Sequence, residues 1–208
     1  MDGDGDGVLR LRIGRAVTFG RRCVLEIWGN GSNALELGDH TIVDDDVTLR
    51  LYGGAIRVGT HCQLRDHVRC KSYGELVLGH KAILGAFGIV HCSERIELHD
   101  YVGLAERTTV IDSDHGFDGS DEYFMDAPIK TAPIVLERNC FCGTGTTILR
   151  GARIGRNSVV GAGAVLPRGE YPAGWLITGS PAAPRKPLPA AVAAELQVAN
   201  GSPVSSSL

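Results

Sequence analysis

"LERNCF CGTGTT ILRGAR IGRNSV VGAGAV", Leu136 to Val165, divides into five blocks of six residues. An aliphatic residue or Cys opens each block, and the fifth place is always small: Cys140, Thr146, Ala152, Ser158, Ala164. A period of six fits neither an α-helix nor the simple alternation of a half-buried strand. It fits a solenoid, in which each hexad is one short strand and turn and three hexads close one coil of a prism. Opener and fifth residue then point inward, coils stack about 4.8 Å apart, and like residues pile into columns.

Working outward from this stretch, the same openers recur in threes: Ile13, Phe19, Leu25; Leu37, Val43, Leu49; Val58, Leu64, Cys70; Leu78, Leu84, Val90; Leu98, Leu104, Val110. A few extra residues fall between most triplets, so one corner of the prism is irregular. Cys23, Cys62 and Cys140 hold fifth places and Cys70 and Cys142 open hexads, while Cys92 falls off the inward set. Such placement reads as small buried filler in a reducing compartment rather than a disulfide framework. Gly155, Asn157 and Gly161 near the corners supply backbone conformations that other residues resist.

With 208 residues and 43% hydrophobic content the chain can bury one domain-sized core. A net charge of -3 and a pI near 6.1 give no basic face for nucleic acid. No run approaches the roughly 18 apolar residues of a membrane span, and "MDGDGDG" lacks the features of a leader. The expectation is a cytoplasmic protein without nucleic-acid or membrane partners. Asp2, Asp4 and Asp6 imitate half of a calcium loop, but Ile13 stands where its closing glutamate belongs. The domains expected are a flexible tail over 1–8, the solenoid over 9–187, and a short helix with a disordered tail over 188–208.

The regularity breaks most strongly at residues 112–133, "DSDHGFDGSDEYFMDAPIKTAP". So long a loop in so regular a chain carries function or is disordered, and Phe117, Tyr123 and Phe124 argue against disorder. His115 lies at its base with Asp112 and Asp114 close enough in sequence to orient an imidazole. Histidine is the side chain suited to removing a proton from a hydroxyl or amine near neutral pH. With the coil as a ruler, "HCSER" lies beneath "IDSDH", so Glu94 and Arg95 are expected to approach Asp114 and His115.

Repeat, loop, the "D-x-D-H-x-F" of Asp112 to Phe117 and the closing "GSPAAPRK" of Gly179 to Lys186 stand in one order. In that order the chain resembles the hexapeptide-repeat acyltransferases from about Leu9 to Pro187, and is most similar to their sugar O-acetyltransferases. The resemblance implies an all-β, single-stranded left-handed parallel β-helix with a protruding loop. It implies a homotrimer with active sites between subunits, acetyl-CoA as cosubstrate, a small-molecule acceptor and no metal. His115 becomes the general base, aided by Asp112 and Asp114. Gly143 and Thr144 present an amide to the thioester, Gly161, Ala162 and Gly163 flank the pantetheine, and Arg185 or Lys186 meets the phosphates. Phe87, Glu94, Arg95, Phe117, Tyr123 and Phe141 are the acceptor candidates. One departure is that Gly85 and Ser93 stand where maltose-type members carry an acceptor-binding Asn and Asp; "GAFG", Gly85 to Gly88, would leave space there for a larger acceptor.

Other functions remain open on sequence. The same base serves N-acetylation of an amino sugar or antibiotic. A γ-carbonic-anhydrase-like metal site would need converging histidines; His40 and His61, one coil apart on one corner, are expected to stack. A non-catalytic scaffold would make His115 dispensable.

Overall fold

The computed structural model describes residues 7–29 and 31–190. Asp2, Asp4 and Asp6, and the helix and tail expected after Leu188 beyond residue 190, lie outside the described residues. Short strands wind around a triangular prism of about eight turns, as the hexads require. The first face holds Val8–Ile13, Ser32–Leu37, Ala55–Val58, Glu75–Leu78, Arg95–Leu98, Ile134–Leu136, Ala152–Ile154 and Gly169–Tyr171, all parallel. The second runs from Thr18–Phe19 through two-residue strands such as Ile83–Leu84 and Phe141–Cys142 to Trp175–Gly179. The third runs from Val24–Ile27 through Thr48–Leu51, Arg69–Ser72, Ile89–Cys92, Thr109–Ile111 and Thr147–Leu149 to Val165–Leu166. A final strand, Ala182–Pro187, turns back antiparallel on Trp175–Gly179. No described helix is long and apolar enough to cross a membrane.

The expected openers form the core. Leu64, Leu84, Leu104, Cys142 and Val160 stack along one column and all are buried, as are the fifth-place Cys140, Thr146, Ala152, Ser158 and Ala164. The exceptions are Ile13, Phe19 and Leu25, at least 40% exposed, because no described coil lies beneath the first. The six cysteines are free, and burial pushes the Cys62 and Cys140 thiols up to about 11 and those of Cys70 and Cys92 up to about 12. The five buried cysteines are core filler without thiolate chemistry, and the part-exposed Cys23 packs against the edge of the core.

Two details differ from the sequence reading. Cys92 is fully buried. The third-face strands are long enough to alternate, so the residue two beyond the opener also turns inward, giving a column Leu51, Ser72, Cys92, Asp112. The left-handed backbone falls at the fourth place of the hexad and not at Gly155 or Gly161. There, among the described residues, twelve non-glycine residues have positive φ, including His40, His61, His67, Phe87, Tyr101, Arg107 and Asn157.

Second-place glycines serve close approach instead. A Cβ on Gly85 would lie 2.4 Å from the Ala105 carbonyl carbon and 2.6 Å from the Glu106 nitrogen. The space expected at "GAFG" is thus filled by the next coil. Gly85→Ala is expected to destabilise the fold by about 1–3 kcal/mol, because the obstacle is backbone that cannot rotate away. Urea denaturation measures this, and unchanged stability would refute it.

Candidate active site

The long loop leaves the prism at the third edge, between third and first faces, where Trp28, Tyr52, Tyr73 and Ser93 mark successive coils. Its base is a two-stranded antiparallel hairpin, Ser113–His115 against Ile129–Thr131. Asp112 anchors it from inside. Its carboxylate is wholly buried and accepts the backbone N–H groups of Ser93 at 2.6 Å, Glu94 at 2.8 Å and Arg95 at 2.9 Å. Asp112 is therefore a structural anchor, and the expectation that it orients His115 is corrected: its lone pairs are taken by the coil below.

Asp114 pairs with Arg150 from the coil above, and the Ser93 hydroxyl donates to that of Ser113 at 2.9 Å. His115 is exposed, and its ring meets Phe124 edge-on with centroids 5.4 Å apart. Among the described residues no side chain hydrogen-bonds its imidazole. The expected approach of Glu94 and Arg95 to Asp114 and His115 is corrected: their backbone amides meet Asp112 instead, because the coil register sets them beneath the start of the loop. The Arg95 guanidinium is committed to Glu75 and Glu97 on the first face. Arg150 was missed, although it occupies the coil directly after the loop, where the same ruler would place it over Asp112, two residues from its partner Asp114.

The loop tip encloses a cavity of about 260 Å³, its wall including Phe117, Tyr123, Phe124 and Lys130. Phe117 and Tyr123 are 76% and 63% exposed, so both are free for contact outside the loop. Phe87 and Phe141 are elsewhere. Phe87 stacks on His67 at the second edge, centroids 4.6 Å apart. Phe141 covers Gly103 on the second face and borders a groove with Asn139, Asn157 and Leu188. The six acceptor candidates do not converge around His115 within one chain.

The cofactor candidates do converge, at the second edge between second and third faces. Gly143 and Thr144 lie one coil below Gly161, Ala162 and Gly163, and the Gly163 N–H donates to the Thr144 carbonyl at 2.9 Å. Gly143's own N–H is spent on the Val160 carbonyl, 2.9 Å away. The available amides are those of Thr144 and Ala162, which have no hydrogen-bond partner among the described residues. Lower coils cap the same hexad position with carboxylates: the backbone N–H groups of Arg15, Asp45 and His80 donate to the carboxylates of Asp39, Asp66 and Asp100. No carboxylate stands over Thr144 or Ala162. A Cβ on Gly145 or Gly163 would meet nothing within 4 Å, so this edge is open backbone.

Arg185 ends the same edge. Its Nε donates to the Thr178 hydroxyl at 3.2 Å, and Thr178 stands directly over Gly161. Lys186 pairs through its backbone with Leu176. Of the two basic candidates, Arg185 is the one the fold brings to the glycine edge. Below, the Thr144 hydroxyl donates to Glu106 at 3.3 Å and Glu106 also pairs with Arg65.

One separation governs what the site can do. His115 rises from the third edge and the open amides lie on the second. The six residue steps from Gly145 to Gly151 that span the face between them measure about 20 Å at the usual strand rise.

His40 and His61 stack as expected, with centroids 4.7 Å apart. Yet no group of three or more His, Cys, Asp or Glu among the described residues is placed to hold a metal ion.

A family model described as the hexapeptide repeat of succinyl-transferase matches residues 133–168, the blocks that decided the fold. Over that stretch the chain carries the hexapeptide repeat the model describes. A probable acetyltransferase of Mycobacterium tuberculosis is 30% identical to this hexapeptide-repeat chain over 130 residues, 62% of the chain and 41% of the relative. A 2,3,4,5-tetrahydropyridine-2,6-dicarboxylate N-acetyltransferase of Staphylococcus aureus is 34% identical over 55 residues, 26% of the chain and 23% of the relative. The chain therefore spans less than half the length of these curated relatives.

Among solved structures, the polysialic acid O-acetyltransferase OatWY superposes with a TM-score of 0.65 at 17% identity, covering 84% of this chain and 88% of its own. A variant of AntD, an N-acyltransferase from Bacillus cereus in complex with dTDP and coenzyme A, gives 0.56 at 18% identity, with 91% of each chain covered. At such identities these structures share the fold with the hexapeptide-repeat chain.

Proposed function

We propose that the protein is an acetyl-CoA-dependent acetyltransferase acting on a hydroxyl of a sugar or sugar-containing molecule. The observation that carries this is the open glycine edge, where the free amides of Thr144 and Ala162 lie in line with Arg185. Bare backbone at Gly145 and Gly163 suits an extended ligand lying against the prism, while Gly143 and Gly161 let the next coil pack closely. Arg185 suits the phosphates at its far end, as a guanidinium pairs well with phosphate oxygens. The neighbours named above support the class, one as an O-acetyltransferase and one as an N-acyltransferase whose structure holds coenzyme A.

In this reading His115 takes the proton of the acceptor hydroxyl as its oxygen bonds to the acetyl carbonyl carbon. The C–S bond breaks, and His115 returns the proton to the departing thiolate. The Thr144 amide holds the charge developing on the carbonyl oxygen; in other enzymes loss of one such donor costs about 2.7–4 kcal/mol. A face roughly 20 Å wide between the edge that carries His115 and the edge that carries this amide is too broad for one chain to complete the reaction. The loop of one protomer therefore reaches the glycine edge of the next, which supports a closed homotrimer. Free buried thiols suit the reducing cytoplasm, and no described side-chain cluster calls for a metal.

Mixed assemblies test this reading. Chains carrying His115→Ala and chains carrying Ala162→Trp are each expected to release no more than trace thiol from acetyl-CoA across a panel of sugars and nucleotide sugars. Refolded together, they should recover activity, because some interfaces pair an intact loop with an intact edge. A mixture no more active than its parts would overturn the shared site. A wild-type protein that releases no thiol with any acceptor would overturn the acyl-transfer reading.

A further inference from the structure

Cations on the first face are largely neutralised by neighbouring acids. On the first face Arg12, Arg57, Arg95 and Arg153 alternate with Glu36, Glu75, Glu97 and Glu137 in ion pairs up the prism. The third face below the His115 loop breaks this rule. Arg50 is paired with Glu26 at 2.8 Å, but Arg69 and Lys71 have no carboxylate partner among the described residues. Lys71 Nζ is held over the rings of Tyr52 and Tyr73, 5.0 and 4.8 Å from their centroids. Burial, then the charge of Lys71, lowers the pKa of His91 from the ordinary histidine value.

These groups border a cavity of about 210 Å³ lined by Thr48, Arg50, Arg69, Lys71, Ile89 and His91. Beside it Trp28, Tyr52 and Tyr73 stack up the third edge, with centroids 6.2 and 4.6 Å apart. Trp28 and Tyr73 remain 53% and 43% exposed. Higher on the same face, Thr109, Ile111, Thr147 and Leu149 carry no charge. The register Arg50, Lys71, His91, Ile111 leads straight up to the strand that releases the loop.

We propose that this lower third face is a binding track for an acidic sugar chain. Arg69 and Lys71 meet its anionic groups, and the exposed flank of the Trp28–Tyr52–Tyr73 stack receives the apolar sides of its rings. Lys71 lies two coils, about 10 Å, below the coil that releases His115. The chain would thus approach from the amino-terminal end, while Arg185 and the glycine edge lie toward the other end. This deepens the sugar-acceptor reading and depends on it only for what the bound chain is used for.

The test is a binding measurement without acetyl-CoA, following tryptophan fluorescence of the full chain. The probes are oligogalacturonate, which carries carboxylates, dextran sulfate, which carries sulfates, and neutral malto-oligosaccharide. An anionic probe is expected to bind with an affinity that falls as salt rises, and the neutral one not to bind; whichever anion binds identifies the group read. Arg69→Gln with Lys71→Gln keeps the side-chain stems and is expected to weaken binding about tenfold or more. Arg69→Lys with Lys71→Arg, which keeps the charges, should retain most of it. Equal binding of neutral and anionic probes, or wild-type affinity in a folded double glutamine variant, overturns the track. Binding that persists in a protein releasing no thiol would leave the track standing and remove the acyltransferase reading instead.

Discussion

His115→Ala is expected to lower thiol release from acetyl-CoA about 10²- to 10⁴-fold, the usual contribution of a positioned general base. Its thermal midpoint should stay close to that of wild type. The imidazole is exposed, touches only the edge of Phe124 in the contacts described, and fills no part of the prism. Loss of activity without loss of stability separates a base from a structural residue. The assay compares initial rates on the best acceptor at saturating acetyl-CoA, beside a melting curve of each protein. Equal rates would mean that His115 is not the base.

Asp112→Ala should show the opposite balance. Removing the carboxylate leaves three buried N–H groups, those of Ser93, Glu94 and Arg95, without their acceptor. An unsatisfied buried donor costs about 1–3 kcal/mol. Allowing for partial relaxation, a loss of about 3–5 kcal/mol is expected, in the range reserved for broken buried networks. Urea denaturation gives the number, and amide exchange should quicken first at residues 93–95. Asp112→Asn, which keeps the shape and one acceptor oxygen, should fall between. A loss below about 1 kcal/mol would mean that water replaces the carboxylate at little cost.

The same residue shows how far the sequence could be read. Hexad counting found the openers because buried aliphatics such as Leu64, Leu84 and Leu104 repeat in register. It also located the irregular edge and the loop. It went wrong at Cys92 and at Asp112 for one reason. A hexad rule counts two inward places, whereas the longer third-face strands turn a third residue inward. Leu51, Ser72, Cys92 and Asp112 are that one buried column. Read as a column, Asp112 becomes a core position occupied by an acid, which must be satisfied by neighbouring backbone.

Side-chain partners were less legible. Spacing brings Glu94 and Arg95 beneath the loop, but rotamer choice and competing acids decide where Arg95 points, and Glu75 and Glu97 hold it. Likewise "CGTG" points to an amide, but only the hydrogen-bond ladder shows that Gly143 is spent on Val160 while Thr144 is free.

The left-handed residues at the fourth places have a wider meaning. Glycine or asparagine would adopt that geometry most readily, and Asn139, Asn157, Gly145 and Gly163 do so in the upper coils. Lower down, His40, His61, His67, Phe87, Tyr101 and Arg107 hold it against a preference of roughly 1–2 kcal/mol each. Corner identity in the two halves thus answers to different demands. The upper corners are bare where the proposed ligand would lie against the main chain, and the lower ones keep bulky, chemically distinctive side chains despite their conformational cost. The edges form a row of displayed positions on an interchangeable frame, where new recognition can arise by changing one outward residue while the buried columns stay untouched.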